Sequence, residues 1–402
     1  MELSRRLRDF PAYIFARVGQ RITELRAQGL DVIRLDIGSP DMPPAPHILE
    51  ALHRSADDPT HHSYAGYFGI PELRQAIADY YARRFNVTLD PDRQVLPLIG
   101  SKEGIYNLAF AFVDPGDIVL VPDPGYPTYQ AGALLAGGVL YTLPLRAEND
   151  FLPDLSAIPV EVARRAKLLW LNYPNNPTTA CAPLDFFAEA VEFAHEYDLL
   201  LCHDAPYTEV TYDGYVAPSL LQVPGAHEVA IEFNSLSKTY NMAGWRVGMA
   251  VGNAMAVSAL ARLKSNIDSG LPRPVQDAAV AALTGDQSWL VERNAIYRER
   301  REIILAALAD VGMPARVPQA TLYVWAQVPA GMSSLEFTDA LLEEQGVALA
   351  PGTAFGPHGE GYVRISVGAP TQRIREAMGR LRAFAEGRRL DTLPVPGTYR
   401  VM

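Results

Sequence analysis

The chain has only two cysteines in 402 residues, which excludes a disulfide framework. Cys181 and Cys202 also lack the paired spacing of a metal site, so no metal is predicted. No run approaches 18 uninterrupted apolar residues. The longest candidate, 131–145, is broken by glycines and by Pro144. The first fifteen residues contain no continuous apolar segment, so no secretory signal is read there. Positive charge is scarce: 35 Lys and Arg against 46 Asp and Glu leave a net charge of −11. Such a chain is a poor match for phosphate backbones or anionic lipid. Repeats and low-complexity tracts are missing, as are the G-x-G-x-x-G fingerprint and the Walker A loop. These absences predict a soluble, cytoplasmic protein with no nucleic-acid or membrane partner.

What is present reads as globular. Hydrophobic residues make up 49% and charged residues 20%, and the length suits two or three domains. Between about Gln94 and Val251, short β-rich runs alternate with helical patterns. Seven runs read as buried strands: 95–99, 118–121, 139–143, 168–172, 199–203, 229–234 and 246–251. Helical stretches such as 102–112 and 184–196 lie between them. The alternation predicts an α/β large domain with a mostly parallel seven-stranded sheet flanked by helices. After Asp286 the texture changes to a long charged helix (288–308), short strands (323–326, 347–350, 362–366) and a closing helix (371–386). This predicts a smaller α+β domain. The expected division is 1–46 as an N-terminal segment packing with the small domain, 47–286 as the large domain and 287–402 as the small one. The tail after Arg389, with Pro394, Pro396 and Gly397, is expected to be loosely ordered.

In parallel sheets, ligands bind beyond the carboxyl ends of the strands, so the polar residues ending each run are the informative ones. Gly100-Ser101-Lys102-Glu103-Gly104 opens a helix and offers amides, a hydroxyl and an ammonium to a phosphate; taken alone, such a turn is more commonly a simple cap. Pro122-Asp123-Pro124-Gly125-Tyr126 is a stiff loop presenting an aromatic. Tyr173-Pro174-Asn175-Asn176-Pro177-Thr178 is another, presenting amides. Asp204 follows an apolar run and reads either as a helix N-cap or as a buried acid with a cationic partner. His203 reads as a packed histidine, since no second ligand lies at metal spacing. Lys238, in Asn234-Ser235-Leu236-Ser237-Lys238-Thr239-Tyr240, sits at a strand end among hydroxyls and near Arg246. A lysine so placed can have a lowered pKa and attack a carbonyl as a neutral amine.

Together these motifs, in this order and over nearly the whole chain, resemble the pyridoxal-phosphate-dependent aminotransferases of fold type I, class I/II. The resemblance implies that Lys238 is the Schiff-base lysine and that Asp204 pairs with the pyridine nitrogen. Asn176 and Tyr207 match the residues that hydrogen-bond the ring's phenolic oxygen, and Tyr126 matches the aromatic stacked on its face. Ser101, Lys102, Ser235, Ser237 and Arg246 match the phosphate cup, Arg246 lying eight residues beyond Lys238. Tyr64 looks like the tyrosine that reaches the phosphate in the neighbouring subunit, implying a homodimer with shared active sites. Arg364 matches the clamp on the substrate α-carboxylate, with Gly38 near the same group. One departure is the family's Asn-Pro-Thr-Gly, where Thr179 takes the glycine position; a β-branched residue there is strained if φ is positive.

Within the family, Ser235 to Arg246 and Lys264-Ser265-Asn266-Ile267-Asp268-Ser269-Gly270 look most like LL-diaminopimelate aminotransferases. The implied reaction moves an amino group between an L-amino acid and a 2-oxo acid. Alanine, aspartate and aromatic aminotransferases share the cofactor residues, and a pyridoxal-phosphate C–S β-lyase would use the same Lys238 and Asp204. A cofactor-binding regulator would carry a DNA-binding domain, for which this chain has neither length nor basic patch.

Overall fold

The computed structural model describes residues 2–8, 10 and 14–388. The tail expected to be loosely ordered falls outside them. Among the described residues, twelve strands form three sheets. In chain order they are β1 (Ile33–Arg34), β2 (Val95–Ile99), β3 (Ile118–Asp123), β4 (Val139–Pro144), β5 (Ala166–Asn172), β6 (Leu200–Asp204), β7 (Ala230–Ser235), β8 (Val247–Gly252), β9 (Tyr323–Gln327), β10 (Val347–Ala348), β11 (Ala350–Pro351) and β12 (Tyr362–Ser366).

The large sheet has seven strands in the order β2-β8-β7-β6-β5-β3-β4. All its pairings are parallel except those of β8, which runs antiparallel to both β2 and β7. Its interior strands β3, β6, β7 and β8 are buried along their whole length, which is why they read as apolar runs instead of alternating ones. Separate apolar clusters cover the two faces. Leu169, Leu171 and Leu201 pack on one side with Phe187 and Tyr81. Leu168, Trp170 and Phe233 pack on the other with Leu108 and Tyr129.

The reversed strand has a chemical consequence. Six strands end at one edge of the sheet, and β8 begins there, so Arg246 immediately before it shares that edge with Lys238. Sequence reading began this strand at Arg246. In fact Arg246 stands outside it, in the left-handed region at φ 58°.

A smaller three-stranded sheet, β11-β12-β9, is antiparallel. The single run expected at 347–350 divides in two: Val347–Ala348 pairs in parallel with β1, while Ala350–Pro351 pairs with β12. The bend at Leu349 lets one segment serve two sheets. Ile33 and Leu35 point into an apolar cluster with Tyr297, Phe337 and Ile365. Among the described residues no helix is long and apolar enough to cross a membrane, and no cluster of His, Cys, Asp or Glu could hold a metal.

Candidate active site

At the carboxyl edge of the large sheet lies a cavity of about 510 Å³, closed on one side by β1 and on another by β9 and β12. Its wall includes Gly38, Ser101, Lys102, Tyr126, Asn176 and Asp204, and also Tyr207, Ser235, Ser237, Lys238, Arg246 and Arg364. Of the residues singled out from sequence, Tyr64 alone lies elsewhere, 89% exposed on the surface.

Asp204 ends β6 and is buried, yet it is neither a helix cap nor a partner of a cation among the described residues. The helix-cap reading is therefore corrected, while the burial expected of the buried-acid reading is present. Oδ2 accepts a hydrogen bond from the Tyr129 hydroxyl at 2.7 Å. Oδ1 is buried without a hydrogen-bond partner among the described residues. Burial pushes the carboxyl up to about 6, against the pull of the Tyr129 hydroxyl. A carboxylate walled off in this way lacks a donor at Oδ1. A protonated ring nitrogen placed there would complete it.

Tyr129 is held for this task by stacking on Trp170 (4.9 Å between centroids, 13° apart), while Tyr126 meets it edge-on at 5.7 Å. Asn172, which ends β5, steers its neighbours. Its Nδ2 donates to the Asp204 carbonyl at 2.6 Å, and its Oδ1 accepts from the Asn176 amide at 2.8 Å. The Asn176 loop is closed by Thr178 bonding Asn175 Oδ1 and by the Asn175 amide on the Ala180 carbonyl. Thr179 sits at φ 63°, so the strained geometry foreseen for a β-branched residue is adopted, with its amide bonded to the Asn175 carbonyl.

Lys238 lies in the short helix Leu236–Thr239, whose N-cap Ser235 accepts from the Ser237 amide at 3.2 Å. The Lys238 ammonium donates to the Gly38 carbonyl. Burial, with Arg364 and Arg246 nearby, lowers its pKa to about 8. Arg246 reaches the Ser237 hydroxyl at 3.4 Å. Across from it, Gly100 adopts φ 74°, and a side chain there would collide with the Arg246 guanidinium. Glycine thus keeps this corner open beside Ser101 and Lys102, a shape suited to a phosphate.

Arg364, on β12, is buried and donates to Asn176 Oδ1 and to the Asp36 carbonyl, each at 2.7 Å. Its guanidinium stacks over the rings of Tyr323 (4.1 Å) and Phe355 (4.6 Å). Tyr323 also bonds the Tyr207 hydroxyl at 2.9 Å and fills the space a Gly38 side chain would need. Sequence reading missed Tyr323, Phe355, Asn172 and the Arg34–Asp36 pair that completes the wall. Asn172 alone carried a signal, as the polar end of an apolar run.

The arrangement combines a lysine of lowered pKa, a buried acid lacking a donor, a cationic small-residue corner and an aromatic-backed arginine. The model for aminotransferase class I and II matches residues 30–381. The chain belongs to the class I and II aminotransferases. It is 55% identical to an LL-diaminopimelate aminotransferase of Desulforudis audaxviator, over 94% of this chain and 97% of that one. It is also 55% identical to one from Moorella thermoacetica, over 95% and 98%. Substrate-bound BacF from Bacillus subtilis superimposes with a TM-score of 0.92 at 38% identity, over 96% of this chain and 98% of that one. Class I and II aminotransferases use pyridoxal 5′-phosphate, and the orphaned Asp204 oxygen and the open Gly100 corner fit that group. They move an amino group between an amino acid and a 2-oxo acid.

Capture of the cofactor aldehyde by the apoenzyme should follow the neutral Lys238 amine. The rate is expected to rise about tenfold per pH unit below a midpoint near 8 and to level off above it. Stopped-flow absorbance at fixed cofactor concentration measures this. A midpoint close to 10.5, the ordinary lysine value, would show that the cavity does not tune the amine.

Proposed function

We propose that this aminotransferase exchanges the amino group of LL-diaminopimelate with 2-oxoglutarate. The observation carrying this substrate assignment is 55% identity, over nearly the full length of both chains, to enzymes named for that reaction. When bound, pyridoxal 5′-phosphate supplies an aldehyde that captures the amine and a ring that accepts the electron pair from Cα.

The remaining work falls to the chain. Ser101, Lys102, Ser235, Ser237 and Arg246 bind the phosphate. Asp204 keeps the ring nitrogen protonated, with Tyr129 fixing the carboxylate. Asn176 and Tyr207 bond the phenolic oxygen, and Tyr126 covers the ring face. Arg364 grips the α-carboxylate with its planar fork, preset by Asn176 and by stacking on Tyr323, while Gly38 lines the same end. With the cofactor bound, Lys238 would take the proton from substrate Cα as a general base and deliver it as an acid to the cofactor's C4′ carbon.

The division at residues 46 and 286 belongs to the same reading, with the cavity between the two larger parts. So does a cytoplasmic homodimer, in which exposed Tyr64 reaches the phosphate of the neighbouring subunit.

The test is a half-reaction screen that follows loss of the visible band of the lysine-bound cofactor. LL-diaminopimelate and glutamate should discharge it at least about tenfold faster than alanine, aspartate or phenylalanine, a gap of about 1.4 kcal/mol. Faster reaction with one of the latter would reassign the substrate. Turnover should also require 2-oxoglutarate; release of pyruvate and ammonia without it would identify a β-lyase.

A further inference from the structure

Directly behind Asp204 the fold buries another pair of titratable groups that the mechanism above leaves unused. His203 and Glu232 lie in register on β6 and β7, both fully buried. Side chains alternate along a strand, so the pair occupies the sheet face opposite Asp204. Glu232 accepts from the Tyr81 hydroxyl at 2.9 Å, the Ser219 hydroxyl at 2.9 and 3.0 Å, and the Leu220 amide at 3.0 Å. Its Oε2 lies 2.8 Å from His203 Nδ1. His203 Nε2 lies 3.0 Å from the Tyr173 carbonyl.

These contacts settle the proton count. A carbonyl only accepts, so Nε2 carries hydrogen. One more proton lies between Nδ1 and Oε2. Three further donors converge on the Glu232 carboxyl, and each favours its charged form. The proton therefore rests on the imidazole. From the helix packed above, Leu184–Tyr197, the ring of Phe187 meets the histidine edge-on (4.8 Å between centroids), and the Glu232 charge also reaches His227.

We propose that Glu232 holds His203 as a buried imidazolium, and that this cation is a positioning residue which keeps Asp204 ionised beneath the cofactor ring. The proposal rests on the reading that Asp204 faces the ring nitrogen. Among the described residues Asp204 forms no ion pair that would offset its burial before the cofactor arrives, and His203 is its covalent neighbour. Burial raises the Asp204 carboxyl, while the Tyr129 hydrogen bond and then the charge of His203 oppose that rise. Both faces of this sheet are packed with apolar side chains, so ionic screening is weak. The same imidazolium grips the Tyr173 carbonyl, three residues before Asn176, and so ties the Asn176 loop to the strand bearing Asp204. An apolar pair of similar volume is often the more stable choice in a core. Retention of an ion pair here is what a functional constraint would require.

The test uses ¹⁵N-histidine labelling of the holoenzyme and ¹³C-carboxyl aspartate labelling of the apoenzyme. In the unaltered protein, both His203 ring nitrogens should carry protons at the pH of the activity assay. In Glu232→Gln, which keeps the volume and removes the counter-charge, one of them should lose its proton. In that variant and in His203→Gln, the Asp204 titration midpoint of the apoenzyme should rise by about one unit, with turnover reduced roughly tenfold. Far-ultraviolet circular dichroism and thermal unfolding identify which of the two variants is folded, and either one suffices. A neutral His203 in the unaltered protein, or an unmoved Asp204 midpoint in a folded variant, would overturn the proposal. If the role of Asp204 itself is misread, Asp204→Asn keeps ordinary turnover whatever the state of His203, which separates the two failures.

Discussion

Lys238→Ala is expected to abolish the visible band of covalently held cofactor and to lower turnover by at least about 10⁴-fold, the upper range for loss of a positioned acid–base group. The ammonium sits against the Gly38 carbonyl, between the Asp204 end of the cavity and the Arg364 clamp. Lys102, the other lysine in the wall, stands at the phosphate corner beside Ser101, in the first turn of the helix Ser101–Phe112 and near Arg246. It cannot replace an amine that must reach both the aldehyde and substrate Cα. The variant should still bind the cofactor, because the phosphate corner and Asp204 are untouched. A small amine such as methylamine, entering the vacated space, should restore part of the proton transfer but none of the covalent tether. Borohydride treatment of the unaltered holoenzyme should label the peptide carrying residue 238. A variant that kept its visible band would mean that another lysine holds the cofactor.

Much of this site was legible because its residues follow apolar runs. A parallel strand buried on both faces announces itself as an unbroken Leu, Ile and Val stretch, and its end is marked by the first polar residue. Asp204, Asn176 and Lys238 all lie at or just after such ends. Their assembly follows from the rule that parallel strands deliver their carboxyl ends to one edge. Arg246 reaches that edge by the opposite route, as the residue before an antiparallel strand, a distinction that spacing alone does not make. The support of each group was not legible. Tyr129 reaches Asp204 from 75 positions away, and Tyr323 reaches Tyr207 from 116. Neither belongs to a local pattern, since tertiary packing alone brings them in. The split of the run at 347–350 was hidden for the same reason: which sheet each half joins depends on β1 and β12, far off in sequence. The Arg34–Asp36 pair reads as ordinary surface charge, yet Asp36 is fully buried and takes both Arg34 hydrogen bonds inside the cavity wall.

Asp204→Asn should separate catalysis from folding. Turnover is expected to fall by about 10² to 10³-fold or more, since losing one partner of a buried charge pair removes about 3–5 kcal/mol. An amide is uncharged and cannot keep the ring nitrogen protonated, so the electron sink weakens although the ring is still seated. Apoenzyme stability should move the other way. The folded carboxyl titrates near 6 instead of 3.8, because burial costs the charged form. An acid with a raised folded pKa favours the folded state below the unfolded value. It loses that advantage as pH climbs from 3.8 to about 6, and the deficit then persists at neutral pH. A shift of that size corresponds to about 3 kcal/mol, which asparagine would recover while still accepting the Tyr129 hydrogen bond. Apo Asp204→Asn should therefore unfold at higher denaturant than the unaltered apoenzyme at pH 7.5, with the gap closing as pH falls from about 6 to 4. Addition of cofactor should reverse the order, since only the carboxylate gains a cationic partner. An asparagine variant less stable than the unaltered protein in the apo state would show that Asp204 is chiefly a structural group. The opposite result would mark it as a residue kept at a cost to the fold for the chemistry it performs.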